Sequence, residues 1–268
     1  MMRLQVSLPS TELLRPVEIR AVFPYGFGAS DPPYRTIWAL HCAMGDGDFF
    51  FENLDAAAIV NREQVAIIAP SMGNGWFINS AFERQADFLQ EMFDALRAFL
   101  PLSPQREDNA IVGLSMGGFG AVRWALDSGA FASVAAISGM FDCRLPLDPR
   151  MMKNRAQRAF YSIFEGTMRR LLLDEKDQIK PDADIALLFQ NLSPSFRPNV
   201  KLYCGDKDYL SLPQTDYLKT LCLKHDCPVS LHLSQGGHDQ PYWKSALHEA
   251  AATLFHPVDK IAEERLCT

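Results

Sequence analysis

Gly113-Leu114-Ser115-Met116-Gly117-Gly118 places one serine between two glycines, directly after the apolar run 110–112. A serine at a sharp turn between a strand and a helix projects its hydroxyl away from the backbone. The turn is so tight that the residues two positions before and after the serine must lack bulky side chains. Gly113 and Gly117 meet that requirement, and apolar residues recur at helical spacing after the motif. The segment therefore predicts a strand, a turn and a helix, with Ser115 as a candidate nucleophile.

Length and charge restrict the class of protein. The chain has 268 residues, 48% of them hydrophobic and 22% charged, and no Gly/Ser/Pro-rich linker divides it, so we expect a single domain over 1–268. Its net charge is −6, and it has no basic stripe with interleaved aromatic residues of the kind that nucleic-acid binding requires. We therefore expect no nucleic-acid partner.

The N-terminal residues and the cysteines indicate a cellular compartment. Residues 1–10 contain no continuous apolar segment, and no stretch approaches the roughly 20 apolar residues of a membrane span, so we expect neither export nor a membrane anchor. The six cysteines show no CxxC spacing and are most simply reduced thiols in a cytoplasmic protein. We expect no metal and no cofactor.

Short apolar runs bounded by turn residues predict a sheet. The first two form a hairpin, and the predicted strands are residues 4–8, 17–23, 36–41, 65–69, 110–112, 134–137, 200–204 and 229–233. Between several of them lie helical patterns, the best of which covers 82–100 and ends at Pro101. Alternating strands and helices predict an α/β architecture, with a mostly parallel central sheet and helices on both faces.

Residues 141–198 interrupt this alternation and are expected to form a small insertion between two strands. If the insertion crosses the carboxyl edge of the sheet, it forms a partial lid that shapes substrate access. The alternative is a solvated helical layer that does not touch the substrate. Both interpretations remain open at the level of sequence.

A serine nucleophile needs a base to take its proton and a carboxylate to orient that base. Ligands collect at the carboxyl ends of parallel strands, and the expected chain order is Ser, then Asp or Glu, then His. Of the six histidines, His238 follows two glycines directly after a predicted strand, on a loop able to reach Ser115. Asp206 and Asp208 both follow the strand 200–204, and we favour Asp208 because it has the greater reach.

An ester hydrolase of this type also requires two backbone N–H donors for the oxyanion and side chains that line the ester pocket. One oxyanion donor is the backbone N–H of Met116, directly after the nucleophile. The other is expected from the loop after strand 36–41, where we favour Ala43 and keep Met44 as the alternative. His41 is expected to stabilise this loop. The side chains expected to line the pocket are Met44, Trp76, Phe77 and Trp243.

The chain resembles the tributyrin esterase branch of the esterase D family of α/β-hydrolases, which includes S-formylglutathione hydrolases. Motifs over most of the chain carry the resemblance, in the right order: Leu40-His41, the stretch 75–79, the stretch 113–121, the acid loop 204–210, Gly237-His238 and Tyr242-Trp243. The resemblance implies the α/β-hydrolase fold, Ser115, Asp208 and His238 as the catalytic set, and Ala43 and Met116 as the oxyanion donors. Related esterases often assemble, so a homo-oligomer is compatible with it.

The sequence departs from the family pattern in two places. Cys42 stands where a glycine is usual, which bears on the geometry of the oxyanion loop. Phe77, Ile78 and Asn79 replace a more polar set. The expected function is a serine carboxylesterase that hydrolyses short-chain acyl esters of small molecules through an acyl-enzyme. S-formylglutathione hydrolysis, acyl transfer and a binding protein with weak turnover are the alternatives.

Overall fold

The computed structural model describes residues 1–26, 33–152 and 154–258, together with the backbone of 262–265. The strands are β1 (Met2–Pro9), β2 (Pro16–Phe23), β3 (Thr36–Leu40), β4 (Ala66–Pro70), β5 (Asn109–Leu114), β6 (Ser133–Ile137), β7 (Asn199–Gly205), β8 (Val229–Ser234) and β9 (Ala262–Arg265). The helices are α1 (Phe49–Glu52), α2 (Ala56–Glu63), α3 (Gln85–Phe99), α4 (Met116–Ser128), α5 (Arg155–Leu172), α6 (Ile185–Asn191), α7 (Leu212–Lys224) and α8 (Gln240–Thr253). Short 3-10 helices cover Arg106–Asp108, Leu145–Leu147, Pro149–Met151, Pro181–Ala183 and Pro194–Phe196.

The strands form one sheet in the order β1-β2-β4-β3-β5-β6-β7-β8-β9. Strand β2 runs antiparallel to both of its neighbours, and all the other pairs are parallel. The carboxyl ends of β3, β5, β7 and β8 therefore meet along one edge of the sheet, which is the edge where ligands of such sheets bind. The predicted mostly parallel α/β sheet is confirmed.

Alternate residues of the central strands β3, β4, β5 and β6 face two separate cores. In β3, Trp38 and Leu40 contact the core formed with α3, α4 and α7, whereas Ile37 and Ala39 contact the core formed with α2 and α8. Helices thus cover both faces of the sheet, as predicted, and this burial is the main source of stability. None of the helices within the described residues has the length and apolar character needed to cross a membrane.

The predicted strands are all present, but two details of the secondary structure differ. The sequence predicts a helix from Phe82, whereas α3 begins at Gln85 and Phe82 is 87% exposed. The reason is a turn at Ser80, whose hydroxyl accepts the N–H groups of Phe82 and Glu83 and delays the helix. Strand β9 was not predicted, because its residues Ala262–Arg265 carry no alternating or apolar pattern.

The first turn of α4 lies very close to β3 and β5. A Cβ atom on Gly113 would lie 1.9 Å from the carbonyl oxygen of Gly117, and a Cβ atom on Gly117 would lie 2.0 Å from the carbonyl oxygen of Leu40. Both contacts are with backbone, which cannot move aside as the end of a side chain can. The two glycines are therefore required by the close approach of backbone to backbone.

The loop after β3 is held by a fully buried histidine. His41 Nε2 accepts the backbone N–H of Met72 at 3.0 Å, so the ring carries its proton on Nδ1, which donates to the carbonyl oxygen of Cys42 at 2.8 Å. The ring of Phe77 packs against it at 5.5 Å between centroids. Burial lowers the pKa of His41, which keeps the ring neutral and able to accept the Met72 N–H.

Substituting either glycine with alanine is expected to destabilise the fold. Gly117→Ala or Gly113→Ala should lower the free energy of unfolding by about 3 kcal/mol or more, because the added Cβ overlaps a carbonyl oxygen. Gly166→Ala in α5 is the matched control, since its Cβ would lie 3.9 Å from its nearest neighbour. Because alanine is the better helix former, the control should gain about 0.5–1 kcal/mol in thermal or urea unfolding. Equal stability of the three variants would contradict the close approach.

His41 is expected to make stability depend on pH. Its pKa in the folded chain lies below the ordinary value of 6.5, so as pH falls below about 6.5 the unfolded chain binds a proton that the folded chain does not. The free energy of unfolding should therefore be highest above that pH and fall on acidification, by at most about 1.4 kcal/mol per pH unit for this one group. Urea unfolding of wild type and His41→Asn between pH 5 and 8 measures the difference. The same pH dependence in both chains would rule out this role for His41.

Candidate active site

Ser115 occupies a strained turn between β5 and α4. Its backbone has φ 53° and ψ −112°, outside the regions that ordinary residues adopt. The surrounding contacts hold it there, because its N–H donates to the carbonyl oxygen of Ile137 at the end of β6 at 2.8 Å. This backbone conformation places the hydroxyl at the carboxyl edge of the sheet, as the sequence motif predicts.

Two hydrogen-bonding contacts link Ser115 to His238 and His238 to Asp208. Ser115 Oγ lies 3.0 Å from His238 Nε2, and His238 Nδ1 lies 3.0 Å from Asp208 Oδ2. The carboxylate is fully buried, whereas the side chain of His238 is 22% exposed. The structure thus brings together the three predicted residues, which follow the carboxyl ends of β5, β7 and β8.

The two aspartates of the acid loop have different contacts. Asp206 Oδ1 accepts the backbone N–H of Gly236 at 3.1 Å and so joins the acid loop to the loop that carries His238. Asp208 faces the imidazole itself. Burial acts to raise the pKa of the Asp208 carboxyl, but the hydrogen bonds from His238 and from the backbone N–H of Ser211 outweigh burial and hold that pKa below its ordinary value. Asp208 is therefore an ionised acceptor at neutral pH.

Ser211 also contacts this group, and the sequence analysis did not identify it. Its N–H donates to Asp208 Oδ1 at 2.9 Å, and its Oγ lies 3.2 Å from His238 Nδ1. The same Oγ donates to the carbonyl oxygen of Ser138 at 2.8 Å. A single serine three residues after an aspartate has no distinctive spacing, so only the folded chain reveals this contact.

The backbone N–H groups of Ala43 and Met44, in the loop after β3, differ in their hydrogen-bond partners. The carbonyl oxygen of Cys42 accepts both His41 Nδ1 and the N–H of Gly45, so the planar peptide turns the N–H of Ala43 away from His41. Within the part of the chain that the structure describes, no acceptor is recorded for the Ala43 N–H. The N–H of Met44 donates to Asn74 Oδ1 at 2.7 Å and is not free to bind an oxyanion.

The side chain of Cys42 is buried in the core formed with α2 and α8, and burial raises the pKa of its thiol to about 11. The residue that stands in place of the usual glycine is therefore accommodated by packing in this core. The contacts that hold the Cys42 carbonyl remain intact.

The four side chains that were expected to line the pocket lie in different environments. Met44 is 82% exposed, and the ring of Trp243 contacts His238 edge to face at 5.1 Å between centroids. Trp76 packs against Phe119 of α4, and Phe77 is fully buried. Of the four, Trp243 is thus the side chain that contacts the His238 imidazole, whereas Phe77 lies in the core.

The insertion 141–198 is attached to the acid loop. Asn154 Nδ2 donates to the carbonyl oxygen of Tyr209 at 2.6 Å, and Gln157 Nε2 donates to that of Leu210 at 3.3 Å. On its other side, Lys180 Nζ donates to the carbonyl oxygen of Asn79 at 3.0 Å. The insertion therefore supports the loop that carries Asp208.

Asp48, close to the oxyanion loop, forms a two-pronged ion pair with Arg20 of β2. Among residues 1–26, 33–152 and 154–258, no group of three or more His, Cys, Asp or Glu side chains is arranged to hold a metal ion.

Comparisons with known proteins give results consistent with this geometry. The model of the family described as "Putative esterase" matches residues 10–254. An acetyl esterase from Caldicellulosiruptor saccharolyticus is 26% identical over 239 residues, which are 85% of each chain.

Solved structures resemble the fold over nearly its whole length. The fluorophosphonate-binding serine hydrolase FphF of Staphylococcus aureus, with substrate bound, has a TM-score of 0.80 at 21% identity, covering 95% of this chain and 98% of that one. The S-formylglutathione hydrolase FrmB of the same organism has a TM-score of 0.75 at 20% identity, covering 95% and 99%. The family match covers most of the chain, so the protein belongs to this esterase family and is a serine hydrolase of carboxylic esters.

Proposed function

We propose that this esterase hydrolyses short acyl esters of small molecules, with Ser115 as nucleophile, His238 as general base and Asp208 as the carboxylate that orients the base. The observation that carries the proposal is the series of two 3.0 Å contacts from Ser115 Oγ through the imidazole to Asp208. A buried, ionised aspartate holds the tautomer in which His238 Nε2 is free to take a proton.

The first half of the reaction uses these atoms in turn. Ser115 Oγ attacks the carbonyl carbon of the ester while His238 Nε2 takes the hydroxyl proton. The negative charge that develops on the carbonyl oxygen is bound by the backbone N–H groups of Met116 and Ala43. As the intermediate collapses, the C–O bond to the alcohol breaks, and the alcohol leaves with the proton from His238.

The second half regenerates the enzyme. A water molecule gives a proton to His238 Nε2 and attacks the acyl carbon, and the same two N–H groups bind the second oxyanion. The carboxylic acid leaves when the bond to Ser115 Oγ breaks and the proton returns to that oxygen. Water is the only co-reactant.

Filled space near the nucleophile helix supports a short acyl group. Trp76 and Phe77 pack against Phe119 and Gly120, one turn along α4 from Ser115, and both side chains are buried. Large aromatic side chains here leave little interior volume for a long acyl chain. The acetyl esterase relative is named for a short acyl group, which supports the same assignment.

Replacing the nucleophile tests the reaction and its acyl preference together. Ser115→Ala should abolish hydrolysis of p-nitrophenyl acetate and labelling by a fluorophosphonate, because no other group forms the acyl-enzyme. In wild type, kcat/KM should fall at least about tenfold from the acetate and butyrate esters to the octanoate, since the longer chain does not fit.

Ser128→Ala, at the other end of α4, is the control and should retain full activity. Hydrolysis by Ser115→Ala would overturn the assigned nucleophile. A preference for octanoate or for S-formylglutathione would replace the proposed substrate class and leave the serine mechanism in place.

The acid loop provides a matched pair of variants. Asp208→Asn should lower kcat about a thousandfold or more, because an amide no longer holds the required imidazole tautomer. Asp206→Asn should lower it less than about tenfold, since that side chain only ties Gly236 to the loop. The measurement is p-nitrophenyl acetate turnover per fluorophosphonate-labelled site. A larger loss in Asp206→Asn would show that the acid has been misassigned.

A further inference from the structure

We propose that Ser211 is a positioning residue that fixes the imidazole of His238 relative to both Asp208 and the nucleophile turn. The inference rests on the proposed roles of Ser115 and His238. It adds a fourth side chain to the site, one that acts through the imidazole and does not touch the ester.

The Ser211 hydroxyl is not used in the way its position in the chain would suggest. Ser211 directly precedes α7, where a serine side chain commonly caps the helix by accepting an N–H from its first turn. Here the side chain makes no capping hydrogen bond, and the residue is 2% exposed. The hydroxyl instead lies between Ser138 and His238.

The protons on these groups can be assigned from the partners. A carbonyl oxygen can only accept, so the single Ser211 hydroxyl proton is directed to the Ser138 carbonyl at 2.8 Å. The imidazole accepts the Ser115 hydroxyl on Nε2 and therefore carries its proton on Nδ1. That Nδ1–H is shared between Asp208 Oδ2 at 3.0 Å and Ser211 Oγ at 3.2 Å.

This arrangement links the base to the backbone that holds the nucleophile. Ser138 directly follows Ile137, whose carbonyl oxygen accepts the N–H of Ser115 at 2.8 Å. The backbone at Ser138 is itself fixed in a left-handed conformation, with φ 54°. A single hydroxyl thus joins the end of β6 to the imidazole, while the N–H of the same residue holds the other oxygen of Asp208.

The consequence for the reaction is electrostatic and geometric. When His238 takes the Ser115 proton it becomes a cation, and hydrogen bonds to a charged group are roughly twice as strong as neutral ones. Ser211 Oγ supplies a second acceptor whose lone pair is already oriented by its bond to Ser138. Removing the hydroxyl should therefore slow proton transfer while ester binding is unchanged.

Kinetics on the full chain test this role. Ser211→Ala should lower kcat for p-nitrophenyl acetate about tenfold, with KM within about twofold of wild type. The second-order rate of fluorophosphonate labelling should fall by a similar factor, because it depends on the same proton transfer. All rates are expressed per labelled site, so that unfolded chain does not contribute.

Ser230→Ala is the matched control, because Ser230 is also a buried serine whose hydroxyl lies 3.0 Å from a histidine nitrogen, in this case His232 Nε2 on β8. It should have wild-type kinetics. Ser211→Thr keeps the hydroxyl, and its kcat per labelled site should exceed that of Ser211→Ala.

Several outcomes would overturn the positioning role. They are an unchanged kcat in Ser211→Ala, an increase confined to KM, equal losses in the alanine and threonine variants, and complete loss of labelling, which would make the hydroxyl purely structural. A wild-type chain that neither hydrolyses the ester nor becomes labelled would instead contradict the proposed function itself.

Discussion

The close approach of the first turn of α4 to Leu40 of β3 and Gly113 of β5 is the constraint on which the site depends. With no side chain at Gly113 or Gly117, the helix begins directly against two strands, and the connecting residue is driven into a conformation that it would not adopt alone. The same approach leaves the backbone of Gly117 close to the carbonyl groups of Leu40 and His41, where the loop after β3 begins. Backbone packing thus sets the position of Ser115 relative to this loop, which carries the proposed oxyanion donor Ala43.

The sheet and the order of the site residues could be predicted from sequence because they depend on local signals. Buried parallel strands are short apolar runs, and Ser115 and His238 each follow such a run beside glycine. The less predictable details depend on contacts between distant segments. The N–H of Met44 donates to Asn74, and the N–H of Gly236 donates to Asp206. In both pairs the partners are about 30 residues apart in the chain, so local sequence does not reveal the contact. Phe82 was misassigned to a helix because periodicity alone does not detect a serine-stabilised turn.

The insertion and the acid loop form one structural unit. At the start of α5, the side chains of Asn154 and Gln157 donate to two consecutive backbone carbonyl groups between Asp208 and α7. Lys180 joins the other side of the insertion to Asn79. Carboxylate placement thus depends on a segment that lies between two strands in the chain and contributes no reacting atom.

Burial of Cys42 and of four other cysteines affects how fast thiol-reactive compounds can modify the protein. Cys42, Cys143, Cys204, Cys222 and Cys227 are all buried free thiols, and burial raises the pKa of the first four, which keeps them protonated at neutral pH. Protonated, enclosed thiols react slowly with electrophiles and oxidants. Within the described residues, a thiol-directed reagent therefore meets only enclosed cysteines, whereas Ser115, the proposed nucleophile, is partly exposed to a serine-directed one.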